Sequence, residues 1–211
     1  MMCMIIGRPK PEIVYTDIAV DNTNATTHTY SGVALGAEKP GRLVLVSVAN
    51  GDVTTAVTVA GVSAASIDSL SGLRNISLWA AVVPNGTTGT IVVTQASATF
   101  RIFIGVAAAY NLKSTTPIDT ATDESNTINT LTVSVNTQVN GVAFGASLLG
   151  TVDPGPDAAW SGLVEGGELT STDCFSVASL NTTTAQTPRP ITATWNLDPI
   201  FAKVAIAASF A

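Results

Sequence analysis

A serine or cysteine nucleophile needs a base, and the chain offers one histidine, His28. It sits in the polar stretch Asp21 to Thr29 and reads as a solvated loop residue. No Gly-x-Ser-x-Gly elbow occurs, so neither a serine nor a cysteine triad assembles around it. Cys3 and Cys174 are the only cysteines. Two thiols so far apart make neither a disulfide framework nor a zinc site, and they read as free thiols. The carboxylates fall in small groups: Asp17 with Asp21, then Asp119, Asp123 and Glu124, then Asp153 with Asp157. None follows the spacing of a calcium loop, and loop aspartates ordinarily bond their own backbone. Glu165 with Glu168, or with Asp173, is the pair best suited to glycoside hydrolysis, which needs two carboxyls about 5–9 Å apart. Trp160 lies close enough in sequence to stack on a sugar. No glycine-rich phosphate loop precedes a helix pattern. No catalytic, cofactor-binding or metal-ligating residue is therefore assigned.

The elements that would position such groups are strands. Of 211 residues, 46% are hydrophobic, only 11% are charged, and the net charge is −6. A typical soluble domain has about 25% charged residues. With no surplus of Lys and Arg, nucleic acid is not an expected partner. No apolar run reaches the ~20 residues of a membrane helix, and 6% aromatics is thin for the girdles of an outer-membrane barrel. The remaining class is a rigid β protein with a surface of Thr, Ser and Asn. Its thirty threonines fit strands well. So little surface charge also suggests faces covered by other subunits.

About thirteen strand candidates recur at 8–15-residue spacing, which points to a sandwich or barrel. Gly41 to Ala49, Ile76 to Val83 and Phe100 to Tyr110 are apolar and continuous; Thr55 to Ala60 and Val62 to Ile67 flank Gly61 as a short hairpin. Asn111 to Asn126 shows no apolar periodicity and reads as a long loop, functional or connecting. Strands resume over Ile128 to Val135, Gly141 to Leu149, Trp160 to Val164, Cys174 to Leu180, Ile191 to Asn196 and Phe201 to Phe210. No persuasive helix appears, because Glu and Lys are too sparse to form an outer helical face. The expected fold is thus all-β: an antiparallel, jelly-roll-like β-sandwich over 12–211, preceded by an extended N-terminal arm over 1–11. Two halves, 12–110 and 128–211, echo each other. Leu78 to Val83, Ile91 to Thr94 and Phe103 to Tyr110 match Phe175 to Leu180, Ile191 to Thr194 and Phe201 to Phe210.

The stretch Ser77 to Thr94 combines an apolar strand, a Pro-x-Gly-Thr-Thr-Gly turn and a Val/Ile/Thr strand. It resembles structural proteins of tailed-phage virions, and the similar layout runs from Ile13 to Phe210. The resemblance implies a jelly-roll-like sandwich made in the host cytoplasm and located on the virion, as a head decoration, spike or fibre component, or tail appendage. It implies other virion proteins, capsid or tail subunits, as partners, and homo-oligomers, with a trimer favoured. It brings no catalytic residues. The apolar arm, with Met1, Met2, Met4, Ile5, Ile6 and Arg8, is the expected partner contact. The loops Asn111 to Asn126 and Asp153 to Asp157 are further outward-contact candidates. The alternative is a carbohydrate- or receptor-binding sandwich, which would need an exposed platform among Trp79, Trp160 and Trp195.

Overall fold

Seventeen strands and no helix make up the described residues of the computed structural model, which are 9–50, 52–150, 157–170, 173–196 and 201–211. The arm residues Met1, Met2, Met4, Ile5, Ile6 and Arg8 lie outside them. The first run comprises β1 (Glu12–Asp21), β2 (Ala25–Ala34), β3 (Leu43–Asn50), β4 (Thr54–Val59), β5 (Val62–Ser63), β6 (Ala65–Ser71), β7 (Asn75–Val82), β8 (Thr88–Thr99) and β9 (Ile102–Tyr110). The second comprises β10 (Asp119–Ser125), β11 (Thr130–Thr137), β12 (Gly141–Gly150), β13 (Ala158–Ser161), β14 (Val164–Thr170), β15 (Asp173–Thr182), β16 (Gln186–Trp195) and β17 (Lys203–Phe210).

Pairing in the first run is nested: β1 with β9, β2 with β8, β3 with β7, β4 with β5, all antiparallel. A long hairpin rolled up in this way is a jelly roll. Its two sheets have the orders β1-β9-β3-β7-β6 and β2-β8-β4-β5. The second run repeats the plan, with β10-β17-β12-β15-β14 and β11-β16-β13. The segments that echo each other in sequence fall on β7 and β15, β8 and β16, and β9 and β17, which hold equivalent places in the two rolls.

The two five-stranded sheets lie back to back between the smaller ones, giving four layers. Alternation within single strands shows it. In β3, Leu43 and Leu45 enter the seam between the large sheets, while Val44, Val46 and Val48 face inside the first roll. In β17, Val204, Ile206 and Ala208 enter the seam and Ala205 and Ala207 face inside the second roll. With both faces covered, β9, β12 and β17 are buried at every position. Such strands read as unbroken apolar runs, whereas β11, with one face in solvent, alternates strictly over most of its length.

Across the seam β1 lies over β14 and β15, β3 over β12, and β6 and β7 over β17, with β10 against β6. Two of these contacts have counterparts with the halves exchanged, β1 on β14 with β10 on β6 and β7 on β17 with β15 on β9, the pattern of an approximate two-fold axis running along the strands. Phe103 meets Phe175 with ring centroids 5.5 Å apart. Gly105 is required beside them, because a Cβ there would strike Val177 and Ser47 from the two sheets.

The sequence reading differs from this structure at three elements: Asp21 to Thr29, read as a polar loop, contains the start of β2, and two further strands lie where none was expected. Asn111 to Asn126 contains β10, a polar edge strand along β17 whose side chains are mostly half-buried, so no apolar pattern marks it. Val164–Thr170 forms β14 despite Gly166 and Gly167. The Tyr15 ring lies on those two glycines, and any side chain there would collide with it.

One end of the first roll is held by Arg42, which is fully buried. Its guanidinium donates to five carbonyls: Val83, Gly36, Ala37, Asn85 and Gly86, at 2.7–3.1 Å. This ties the loop before β3 to the loop after β7. Arg42→Met should leave those carbonyls unpaired and lower unfolding free energy by at least about 3 kcal/mol in chemical denaturation. Gly105→Ala should wedge the seam and cost about 1–3 kcal/mol by the same measurement.

Candidate functional site

The carboxylates singled out in the sequence divide into two groups. A bulge in β14 between Glu165 and Gly167 offsets the ordinary alternation, and it brings Glu165 next to Glu168. Two residues three apart on a regular strand would point to opposite faces, so the bulge builds this pair. Burial, then the neighbouring Glu168 and Asp157, push the Glu165 carboxyl above its ordinary range. Glu168 is engaged elsewhere: Oε2 accepts from the Ala158 N–H at 3.2 Å and Oε1 from the Cys174 thiol at 3.1 Å. Trp160 stands nearby, its indole N–H donating to Ser176 Oγ at 2.8 Å. The arrangement can share a proton between two carboxyls in the gap between β13 and β14.

Asp173 does not join this pair. Arg101 Nη1 reaches its Oδ2 at 2.6 Å and Arg74 Nη2 reaches its Oδ1 at 3.8 Å. It opens β15 at the seam, so its charge is spent linking the second roll to two turns of the first. The Cys174 thiol is free and buried, and burial together with Glu168 pushes it far up, away from a nucleophilic thiolate. Cys3 lies outside the described residues.

His28 is not a solvated loop residue. It is fully buried on β2. Nε2 meets the Ala25 carbonyl at 2.9 Å, and Nδ1 meets Asp21 Oδ2 at 2.9 Å. The Ala25 carbonyl and the Asp21 carboxylate both accept, so each ring nitrogen faces an acceptor. Desolvation opposes ionisation of Asp21, yet bonds from the Thr23 N–H and hydroxyl, and from His28, hold its carboxyl below the usual value. Asp21 ends β1 and His28 lies within β2, strands of two different sheets, so no local pattern marks the pair.

Of the three tryptophans, Trp79 and Trp195 are buried in the interiors of the two rolls, and Trp160 is half-buried. A sugar platform made of all three is therefore not formed. The interiors themselves are filled: Val44, Val46, Val57 and Ile91 meet inside the first roll, and Leu131, Val133, Ile191 and Trp195 inside the second. Among the described residues no group of three or more His, Cys, Asp or Glu is placed to hold a metal ion.

No protein-family model and no curated protein matches the chain. Among solved structures, a conserved protein of unknown function from Pseudomonas aeruginosa PAO1, PA5104, aligns over 95% of this chain and 98% of its own, at 14% identity and a TM-score of 0.28.

Two opposite pH effects follow from the shifted carboxyls. Asp21 ionises more readily in the folded chain, so its contribution is complete above about pH 4 and is lost as pH falls through the folded value. Asp21→Asn should lower the melting temperature at pH 7 and flatten the acid-side decline. Glu165 ionises less readily, so its penalty appears as pH rises through its folded value. Glu165→Gln should raise the melting temperature at pH 7 and change nothing below about pH 4. Thermal scans from pH 3 to 8 read both.

Proposed function

We propose that this chain is a non-enzymatic structural subunit of a phage virion, decorating the particle or forming part of an appendage. The observation that carries the reading is the solid four-layer packing, in which both jelly-roll interiors and the seam between them are filled by side chains. Ligand sites in β-barrels usually occupy the mouth or interior. Here both interiors hold Val, Leu, Ile and Trp. The polar groups best able to do chemistry are used as internal ties: Asp21 with His28, Asp173 with two arginines, and Arg42 with five carbonyls. The phage-like stretch Ser77 to Thr94 also supports the reading. It runs along β7, turns through Gly86 at φ 75°, and returns along β8, so it carries the chain from a central layer to an outer one.

In this reading the partners are capsid or tail subunits and further copies of the chain. The arm Met1 to Pro11 makes the particle contact. The arm's last residues meet the fold lightly, through the Lys10 carbonyl accepting from Asn111 Nδ2 at 2.8 Å. Deleting residues 1–11 should leave cooperative unfolding intact and abolish binding to phage particles assembled without the protein, read by co-sedimentation and negative-stain imaging. Full-length protein that leaves such particles bare would overturn the proposal. Glu165→Gln and Glu168→Gln should leave particle binding unchanged.

A further inference from the structure

Charge in this molecule is sorted along the strand axis. The register of the ladders defines two ends. At one, called here the Phe100 end, lie Asp21, Ile102, Asn50 and Asn75 of the first roll. The same end of the second roll holds Gly150, Asp173, Ser125 and Lys203. The bridge from Arg101 to Asp173 and the bond from the Leu73 N–H to Glu124 Oε2 at 2.8 Å show that these ends coincide. At the other, the Lys39 end, the Ile13 N–H donates to Asn181 Oδ1 at 2.8 Å and the Lys113 N–H to the Ala211 carbonyl at 2.6 Å.

Among the described residues, Asp21, Asp52 and Asp157 stand in or beside the loops of the Phe100 end, and Asp123, Glu124, Glu168 and Asp173 sit on its last rungs. Against them are Arg74 and Arg101, both drawn to Asp173, and the buried Lys203. The Lys39 end has the reverse balance. Lys10, Lys39, Lys113 and Arg189, with the buried Arg42, face only Glu12, Glu38 and Asp119. An acidic chain thus has one strongly negative and one positive end.

Exposed apolar side chains stand at both ends: Phe100, 56% exposed, with Leu73, Ile128 and Val53 in turns of the negative end, and Val139 and Val82 at the positive end. Among the clefts of the positive end, two are lined by lysines. One, of about 240 Å³, is lined by Lys39, Tyr110, Glu12 and Val14; the other, of about 130 Å³, by Lys10, Lys113, Asn111 and Asn140. Four layers about 10 Å apart, with up to five strands about 4.8 Å apart, give each end roughly 800 Å². That matches the ~800 Å² per partner of a stable protein contact.

We infer that copies of this chain associate end to end, the negative Phe100 end of one seated on the positive Lys39 end of the next. The occupant of each end is a second copy. The contact is heterologous and does not close on itself, so it builds a linear stack. Opposed charges steer the ends together and set their polarity, and the exposed apolar turns fill the clefts. The inference deepens the structural-subunit reading and rests on it for its purpose, but the contact itself needs no particle.

The test is sedimentation velocity of the full chain across a wide concentration range, at about 20 mM and about 0.5 M salt. At low salt the average mass should climb past the dimer without a plateau, and high salt should return it towards the monomer. The Lys10→Glu/Lys113→Glu variant, with a wild-type melting curve, should associate at least about tenfold more weakly. Asp52→Lys/Asp157→Lys should do the same, and mixing the two variants should restore pairing through their reversed ends. A chain that stays monomeric at every concentration overturns the inference, as does a closed dimer or association indifferent to salt and reversal. A monomer whose Lys39 end binds particles overturns it too, and gives that end to another acidic partner. Particle binding by a monomeric chain would leave the virion reading standing, whereas stacking without particle binding would leave only the stack.

Discussion

Two sheets buried on both faces set the terms for everything else in this molecule. A sheet with one wet face can carry polar residues at every second position, but β9, β12 and β17 have no wet face. Every residue of these strands must be apolar or small, or have its polar group satisfied within the layers. Ser209 of β17 meets the condition by donating to the Asn136 carbonyl at 2.6 Å, and Ser47 of the neighbouring β3 by donating to the Gly105 carbonyl at 3.2 Å, while Ser147 of β12 is simply small. The low charge of the chain is the compositional shadow of this layering. So is its abundance of alanine, which lets the large sheets approach while Phe103, Phe144, Phe175 and Phe210 fill the seam.

Charge that is excluded from the layers collects where strands end. There it does two kinds of work. Some of it closes the fold: Arg42 gathers carbonyls from two loops that have no strand partners, and Asp173 holds turns of the opposite roll. These groups stand where backbone polar atoms run out of ladder partners, the place where a buried charge has acceptors to meet. The rest remains at the surface, sorted by sign along the strand axis. That axis is shared by both rolls because their ends coincide, so the local charges of many loops add rather than cancel.

The same layering decides what was legible in the sequence. Central strands such as Leu43–Asn50 and Ile102–Tyr110 announced themselves, because burial on two sides leaves an unbroken apolar run. The repeat was faintly visible for the same reason: β7, β9, β15 and β17 are under the same constraint. Edge strands were not legible. The polar β10 is held by its ladder to β17, and Gly166 and Gly167 of β14 serve a ring 151 residues earlier in the chain, so neither carries a local signal. Glu165 stands beside Glu168 only because of a bulge in β14, which their spacing does not reveal. Asp173 was misassigned because its partners, Arg74 and Arg101, belong to the other roll. His28 was misread because a Thr/Asn-rich context looks like loop, while its burial depends on Asp21 and Ala25 across a turn.

The seam also explains how far two equivalent rolls have parted. An association of identical subunits about a two-fold axis repeats each contact twice. Within one chain the two copies of a contact are free to differ, and here they do. Where β1 crosses β14, Tyr15 lies flat on Gly166 and Gly167. Burial, with Asp17 beside it, pushes its phenol up. Where the exchanged strands β10 and β6 meet, at a different height along the axis, the Glu124 carboxylate covers Gly72 and accepts the Leu73 N–H. Both solutions place a glycine under a side chain from the other roll, one by aromatic packing and one by a hydrogen bond. The shared requirement is close approach at the seam's margins, and the chemistry that fills it is local. Symmetry is therefore kept where both faces are dry and relaxed where the margin meets water, which is also where the two ends acquire opposite charge.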